Sequence, residues 1–237
     1  DIILNAASYT KIILKEQEYD LSELDAINID NPNVFADDTF EGYEYIIKDV
    51  SNLVIEAPEG ISASVVTQAP YANVLSFKGC SGIVLKNITA GHKVEKGYCT
   101  GGVIMLDGCG NINIDKCSLY GCGTYGITAT DSAGITVENT EIYECTYGLV
   151  ELNDCDGIKF NGCTFRDSGM FSMFALDSCS GVSVTNSEIK NNSSSENSYF
   201  ISAYDCSDIE FFGCDFSNNS YYNFCSGDAV KFIGCKL

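Results

Sequence analysis

Three carboxylates and one imidazole are the side chains of this 237-residue chain best placed to move protons. His92 is the only histidine and stands in a Gly-rich polar stretch with Lys93, Glu95, Lys96 and Tyr98. A lone imidazole there can act as an acid, a base or a ligand near neutral pH. Asp107, Glu151 and Asp177 are carboxylates that could share acid–base work on a glycosidic bond. Such chemistry wants two carboxyls about 6.5–9.5 Å apart when it inverts the sugar. Tyr120, Tyr143, Arg166 and Lys190 recur every 23 or 24 residues, the mark of one exposed stripe whose aromatic area could lie against sugar faces. Tyr98 and Lys78 complete the set of binding candidates.

Those spacings come from a repeat. The clearest copies are CGNINIDKCSL at 109–119, CDGIKFNGCTF at 155–165 and CSDIEFFGCDF at 206–216. The first aliphatic residue of each copy gives a register: Leu53, Ile83, Ile112, Ile135, Ile158, Val182, Ile209 and Val230. Successive marks lie 21 to 30 residues apart, about 25 on average. Each unit holds short alternating stretches and no helical periodicity. So small a unit cannot bury its own apolar face, and neighbours must stack. The leucine-rich frame and its helical side are absent. The repeat therefore predicts an all-β, right-handed parallel β-helix solenoid of about 8–9 coils with three short strands per coil. Residues 1–50 form the opening coils of a single domain over 1–237, and residues 51–237 the regular ones.

The residue before each mark is Gly82, Asn111, Gly134, Gly157, Gly181 or Asp208. The fourth after it is Asn87, Asn139, Gly162, Asn186, Gly213 or Gly234, with Lys116 as the exception. These types enter left-handed backbone at least cost, as a bend repeated in every coil demands. Cys80, Cys109, Ser132, Cys155, Cys179 and Cys206 precede the marks by three, and Cys117, Thr140, Cys163, Ser187, Cys214 and Cys235 follow by five. Stacked about 4.8 Å apart, they make two inward ladders of small side chains. The thirteen cysteines are thus read as packing, and no metal site is assigned. Cys122 and Cys145 stand apart, outside the core on adjacent coils, within reach of a disulfide.

With 13 Lys and Arg against 33 Asp and Glu, the net charge is −20, which excludes nucleic acid as a partner. No apolar run approaches the ~18 residues of a membrane span. The chain begins at Asp1 without a Met and ends in mid-coil at Leu237, so it is expected to be part of a longer protein. A capping domain or second chain is expected to cover that C-terminal coil.

The chain resembles the pectate-lyase-like right-handed parallel β-helix superfamily, and is most similar to bacterial right-handed β-helix repeat proteins. The segments that carry the resemblance are TKIILKEQEYDLS at 10–22, VSNLVI at 50–55, GHKVEKGYCTGGV at 91–103 and LYGCGTYGI at 119–127. The superfamily hosts lyases, hydrolases, epimerases and adhesins. The resemblance implies an extracellular or cell-surface protein with a groove on the outer face of strand one, the strand preceding each mark. Alternation then places Ser76, Met105, Thr128, Glu151, Ala175 and Ser202 outward in one row. Lys78, Asp107, Thr130, Asn153, Asp177 and Tyr204 form the next. Variable loops at 89–101, 120–125, 143–147, 166–171, 190–198 and 217–223 flank this face. The family's lyases use an Arg base and carboxylate-bound Ca²⁺, which keeps Ca²⁺ a candidate ion. The single Arg166 does not lie on strand one, and Asn139-Thr-Glu141 and Gly91-His92-Lys93 match polygalacturonase motifs incompletely and out of order, so no family catalytic role transfers. Two functions follow: a β-helix that binds or processes polysaccharide, or a structural or adhesive module without catalysis.

Overall fold

The computed structural model describes residues 2–15, 17–121 and 123–237. Strand two of each coil lies at the mark and stacks into a nine-stranded parallel sheet that runs from Lys11–Ile13 to Val230–Ile233. Strand one builds a second sheet, which includes Leu75–Lys78, Ile104–Asp107, Ile127–Thr130, Val150–Asn153, Phe174–Asp177 and Tyr199–Tyr204. Strand three builds a third, of seven strands, from Glu18–Asp20 to Glu188–Lys190. The expected right-handed β-helix is the fold. Its complete three-strand coils number about seven among the described residues, slightly fewer than the marks suggest, because strand three is missing from the last coils. The first coils carry an irregularity: Val34–Thr39 returns antiparallel on Gly42–Lys48 and extends the strand-one sheet as a hairpin.

Left-handed residues set the corners. The row before the marks has φ between 53° and 66° from Gly82 to Asp208, and the row four after has φ between 48° and 64° from Asn87 to Gly234. Lys116 obeys the same bend at φ 54°, held there by the Asn87 and Asn139 bends on either side. Two further rows were not evident in the repeat. Asp49, Asp131, Asp154, Ser178 and Asp205 turn left-handed just after strand one, Glu144, Asp167 and Asn191 do so after strand three, and Asn218 continues that row one coil on.

The two cysteine ladders point inward as expected. A hydroxyl in the row accepts the backbone N–H one coil earlier: Cys109 N donates to Ser132 Oγ at 2.9 Å and Cys163 N to Ser187 Oγ at 3.0 Å. A third ladder of the same kind runs through Cys145, Ser168, Asn192 and Asn219. Cys145 is therefore in the core, not outside it. The question of a Cys122–Cys145 bond lies outside the described residues. Between the sheets the core is aliphatic early and aromatic late, where Phe160, Phe165, Phe174 and Phe211 pack edge to face at 5.0–5.7 Å. Each such ring contributes about 1.5–3 kcal/mol of burial, which fixes the backbone under the strand-one face. No helix among the described residues is long and apolar enough to cross a membrane.

Candidate functional site

Parallel stacking carries the register from coil to coil. Ser76, Met105, Thr128, Glu151, Ala175 and Ser202 are aligned partners in one row, and Lys78, Asp107, Thr130, Asn153, Asp177 and Tyr204 in the next. Leu106 and Leu152 between them are buried, so both rows face outward as alternation predicts.

The two ends of this face differ. At the N-terminal end Lys78 pairs with Asp107 at 2.5 Å, and Glu44 accepts from Ser76 Oγ at 2.5 Å and from Asn73 N at 2.9 Å. A pocket of about 110 Å³ sits there, bounded by Ile46, Phe77 and Met105. Its charges already have partners. Hollows of about 300, 400 and 560 Å³ lie elsewhere and contain none of the candidate residues.

Further along, Glu151 is half-buried between Thr128 and Ala175, and burial raises its carboxyl above the ordinary glutamate value. Beside it runs an aromatic column. Tyr125 meets Tyr147 edge on at 6.4 Å, and Tyr147 meets Phe171 at 4.9 Å. Burial first, then the nearby Glu151 and Tyr147, push the Tyr125 hydroxyl up to about 12. The column depends on Gly148, where a Cβ would lie 2.0 Å from Ser172 O and 2.7 Å from Tyr125 Cε1. The paired Thr124-Tyr-Gly126 and Thr146-Tyr-Gly148 are the signal in the sequence, since a fixed Tyr-Gly at coil spacing marks a ring laid against a close backbone turn.

The carboxylates are not equivalent partners for Glu151. Asp107 lies two coils away and one row over, so stacking and strand rise set their backbones roughly 12 Å apart. Its salt bridge to Lys78 ties it to the coil on the side away from Glu151. Asp177 lies one coil away and one row over, roughly 8 Å by the same spacings. Asp177 is exposed and accepts from Ser178 Oγ at 2.9 Å.

The other candidates lie elsewhere. His92 ends the strand Ile88–His92 instead of standing in a polar loop, and it is 3% exposed. Its Nε2 donates to Ala72 O at 2.9 Å, and burial, stronger than the backbone hydrogen bonds to Ala72 and Gly121, holds its pKa below the ordinary value. The strand ends at His92 because its register with Ala63–Thr67 continues to that residue. Tyr98 is in the following loop, 76% exposed. Tyr120, Tyr143, Arg166 and Lys190 do form one row, but on strand three, a different face. Their ring faces are already covered. Tyr120 packs on Gly91, stacks on Tyr143 at 5.7 Å, and Arg166 lies over Tyr143 at 4.0 Å. Glu141 and Asp167 hold Arg166 in that position. Among the described residues, no group of three His, Cys, Asp or Glu side chains could hold a metal ion.

Residues 47–189, more than half of the chain, match the family model for the right handed beta helix region, and the chain belongs to that family. Among solved structures it is similar to the mannuronan C-5 epimerase A-module of Azotobacter vinelandii, with a TM-score of 0.54 and 16% identity over 81% of this chain. It spans 57% of that module's length. A pectate lyase matches with a TM-score of 0.48 and 10% identity over 97% of this chain and 71% of its own. The surface adhesin PfbA of Streptococcus pneumoniae matches at 0.44 and 14%, over 96% and 72%. A search of curated proteins finds no match. The likeness to the epimerase module is one of fold.

Proposed function

We propose that this chain is an extracellular or cell-surface protein that binds a polysaccharide along the strand-one face and cleaves it by acid–base chemistry at Glu151. The observation that carries the reading is Glu151 itself: a half-buried carboxyl with a raised pKa, on an outward row, beside the Tyr125–Tyr147–Phe171 column. A carboxyl whose pKa burial raises keeps its proton to a higher pH than an exposed one, and a carboxylic acid there can donate to a leaving glycosidic oxygen. Asp177, more exposed and roughly 8 Å along the diagonal, is the partner that can activate water on the opposite side of the sugar. Asp107 and His92 take no part: the first is engaged by Lys78 and the second is sealed in the wall. The nine buried free thiols among the described residues do not oppose an extracellular setting, because buried cysteines react slowly.

The test is a polysaccharide panel read by new reducing ends and by binding, with Glu151→Gln and Asp177→Asn. Loss of turnover by about 10²–10⁴-fold in Glu151→Gln is expected. The openness of the face around exposed Asp177 and Tyr204 favours a second reading, a binding or adhesive module without turnover. Binding that persists in both variants, with no reducing ends from the parent chain, would establish that reading instead.

A further inference from the structure

We infer that the glycan taken by the strand-one face is uncharged, without carboxylate or sulfate groups; this rests on the reading of that face as a polysaccharide site. From Ile127 to Tyr204 the outward strand-one residues are Thr128, Thr130, Glu151, Asn153, Ala175, Asp177, Ser202 and Tyr204. None is Lys or Arg. The left-handed row along one edge adds Asp131, Asp154 and Asp205, all exposed carboxylates. Lys78 is paired with Asp107 at the far end, and Arg166 is held on strand three by Glu141 and Asp167.

A uronate or sulfate in this segment meets only like charge. One uncompensated contact at 4 Å with Asp177 or with the Asp131, Asp154 and Asp205 edge weakens binding by about fivefold where water screens it fully, and more where the face is partly desolvated. What remains on the face suits neutral sugars. Thr128, Thr130, Asn153 and Ser202 carry groups that both donate and accept, matching sugar hydroxyls. Phe171 is 42% exposed and Tyr147 half-exposed, which leaves apolar area for the C–H faces of a pyranose.

The experiment measures binding of the intact chain to xylan, glucomannan, polygalacturonate, alginate and chondroitin sulfate by affinity electrophoresis and calorimetry. Each is run at 20 and 200 mM NaCl, with Ca²⁺ and with chelator. The expected result is at least tenfold tighter binding of a neutral glycan, and a gap that narrows at high salt because screening weakens the repulsion. In the Asp154→Asn, Asp177→Asn double variant the gap should also narrow, through stronger polyuronate binding. A polyuronate or sulfated glycan that binds as tightly as the best neutral one, with or without Ca²⁺, overturns this inference and leaves the polysaccharide site standing. No binding by either class overturns the site, and the inference with it.

Discussion

Asn192 offers the sharpest test of how the solenoid is held together. It is 2% exposed on the third inward ladder. Its Oδ1 accepts from Ser168 N at 3.0 Å, and its Nδ2 donates to Phe165 O at 3.0 Å and to Asn219 Oδ1 at 3.2 Å. Asn192→Ala removes all three and leaves the Ser168 N–H, on a residue 3% exposed, without its acceptor. An unpaired buried donor costs about 1–3 kcal/mol, and each lost hydrogen bond about 0.5–1.5. With the Ser168 bond counted once, as the unpaired donor, the sum is about 2–6 kcal/mol, or roughly 4–24 °C in Tm for a chain of this size. Asn192→Ser should cost about half as much. Ser168 shows why: in the same row one coil earlier, its Oγ accepts from Cys145 N at 3.0 Å and donates to Arg166 O at 3.1 Å. Urea unfolding followed by circular dichroism and tyrosine emission, with no Trp to obscure it, gives both values. A loss below about 1 kcal/mol in Asn192→Ala, or equal losses in the two variants, would refute the idea that side-chain acceptors in the ladder carry the inter-coil link.

Three further outcomes are expected. Tyr147→Ala should weaken glycan binding several-fold, whereas Tyr143→Ala should leave it within twofold, because the Tyr143 ring is covered by Tyr120 and Arg166 on another face; affinity electrophoresis compares them. Of the twelve described cysteines, only Cys206, Cys225 and Cys235 should react with a maleimide in the folded chain, and the nine buried ones only in denaturant, as mass spectrometry of labelled peptides will show. Burial holds His92 below the histidine value of 6.5, so the unfolded chain takes up the proton first as pH falls. Its contribution is therefore complete above about pH 6.5 and declines below it, by at most about 1.4 kcal/mol per pH unit. Urea midpoints at pH 7.5 and 5.5 should differ less in His92→Gln than in the parent chain.

The amino-acid sequence determined the solenoid, the two outward rows and the two cysteine ladders. The reason is repetition: once Ile112, Ile135 and Ile158 stack, a pleat of period two leaves Met105, Thr128 and Glu151 no freedom to face inward. The bends at Asn87, Asn139 and Gly162 were legible for the same reason, since the cheapest left-handed residues recur at one offset. Asp131, Asp154 and Ser178 bend as sharply, yet their types also suit any exposed strand end, so that row passed unread.

The tertiary structure decided what each row can touch. One-dimensional spacing put Tyr120, Tyr143 and Arg166 in a stripe, and only packing showed that their ring faces cover one another on strand three. It drew His92 from an apparent loop into the wall, where a continued strand pairs it with Thr67. Register also sets Asp177 closer to Glu151 than Asp107, whose carboxylate is tied to Lys78 on the coil beyond. Separation across a parallel sheet combines coil stacking with displacement along the strand, and both must be short for two carboxylates to share one sugar.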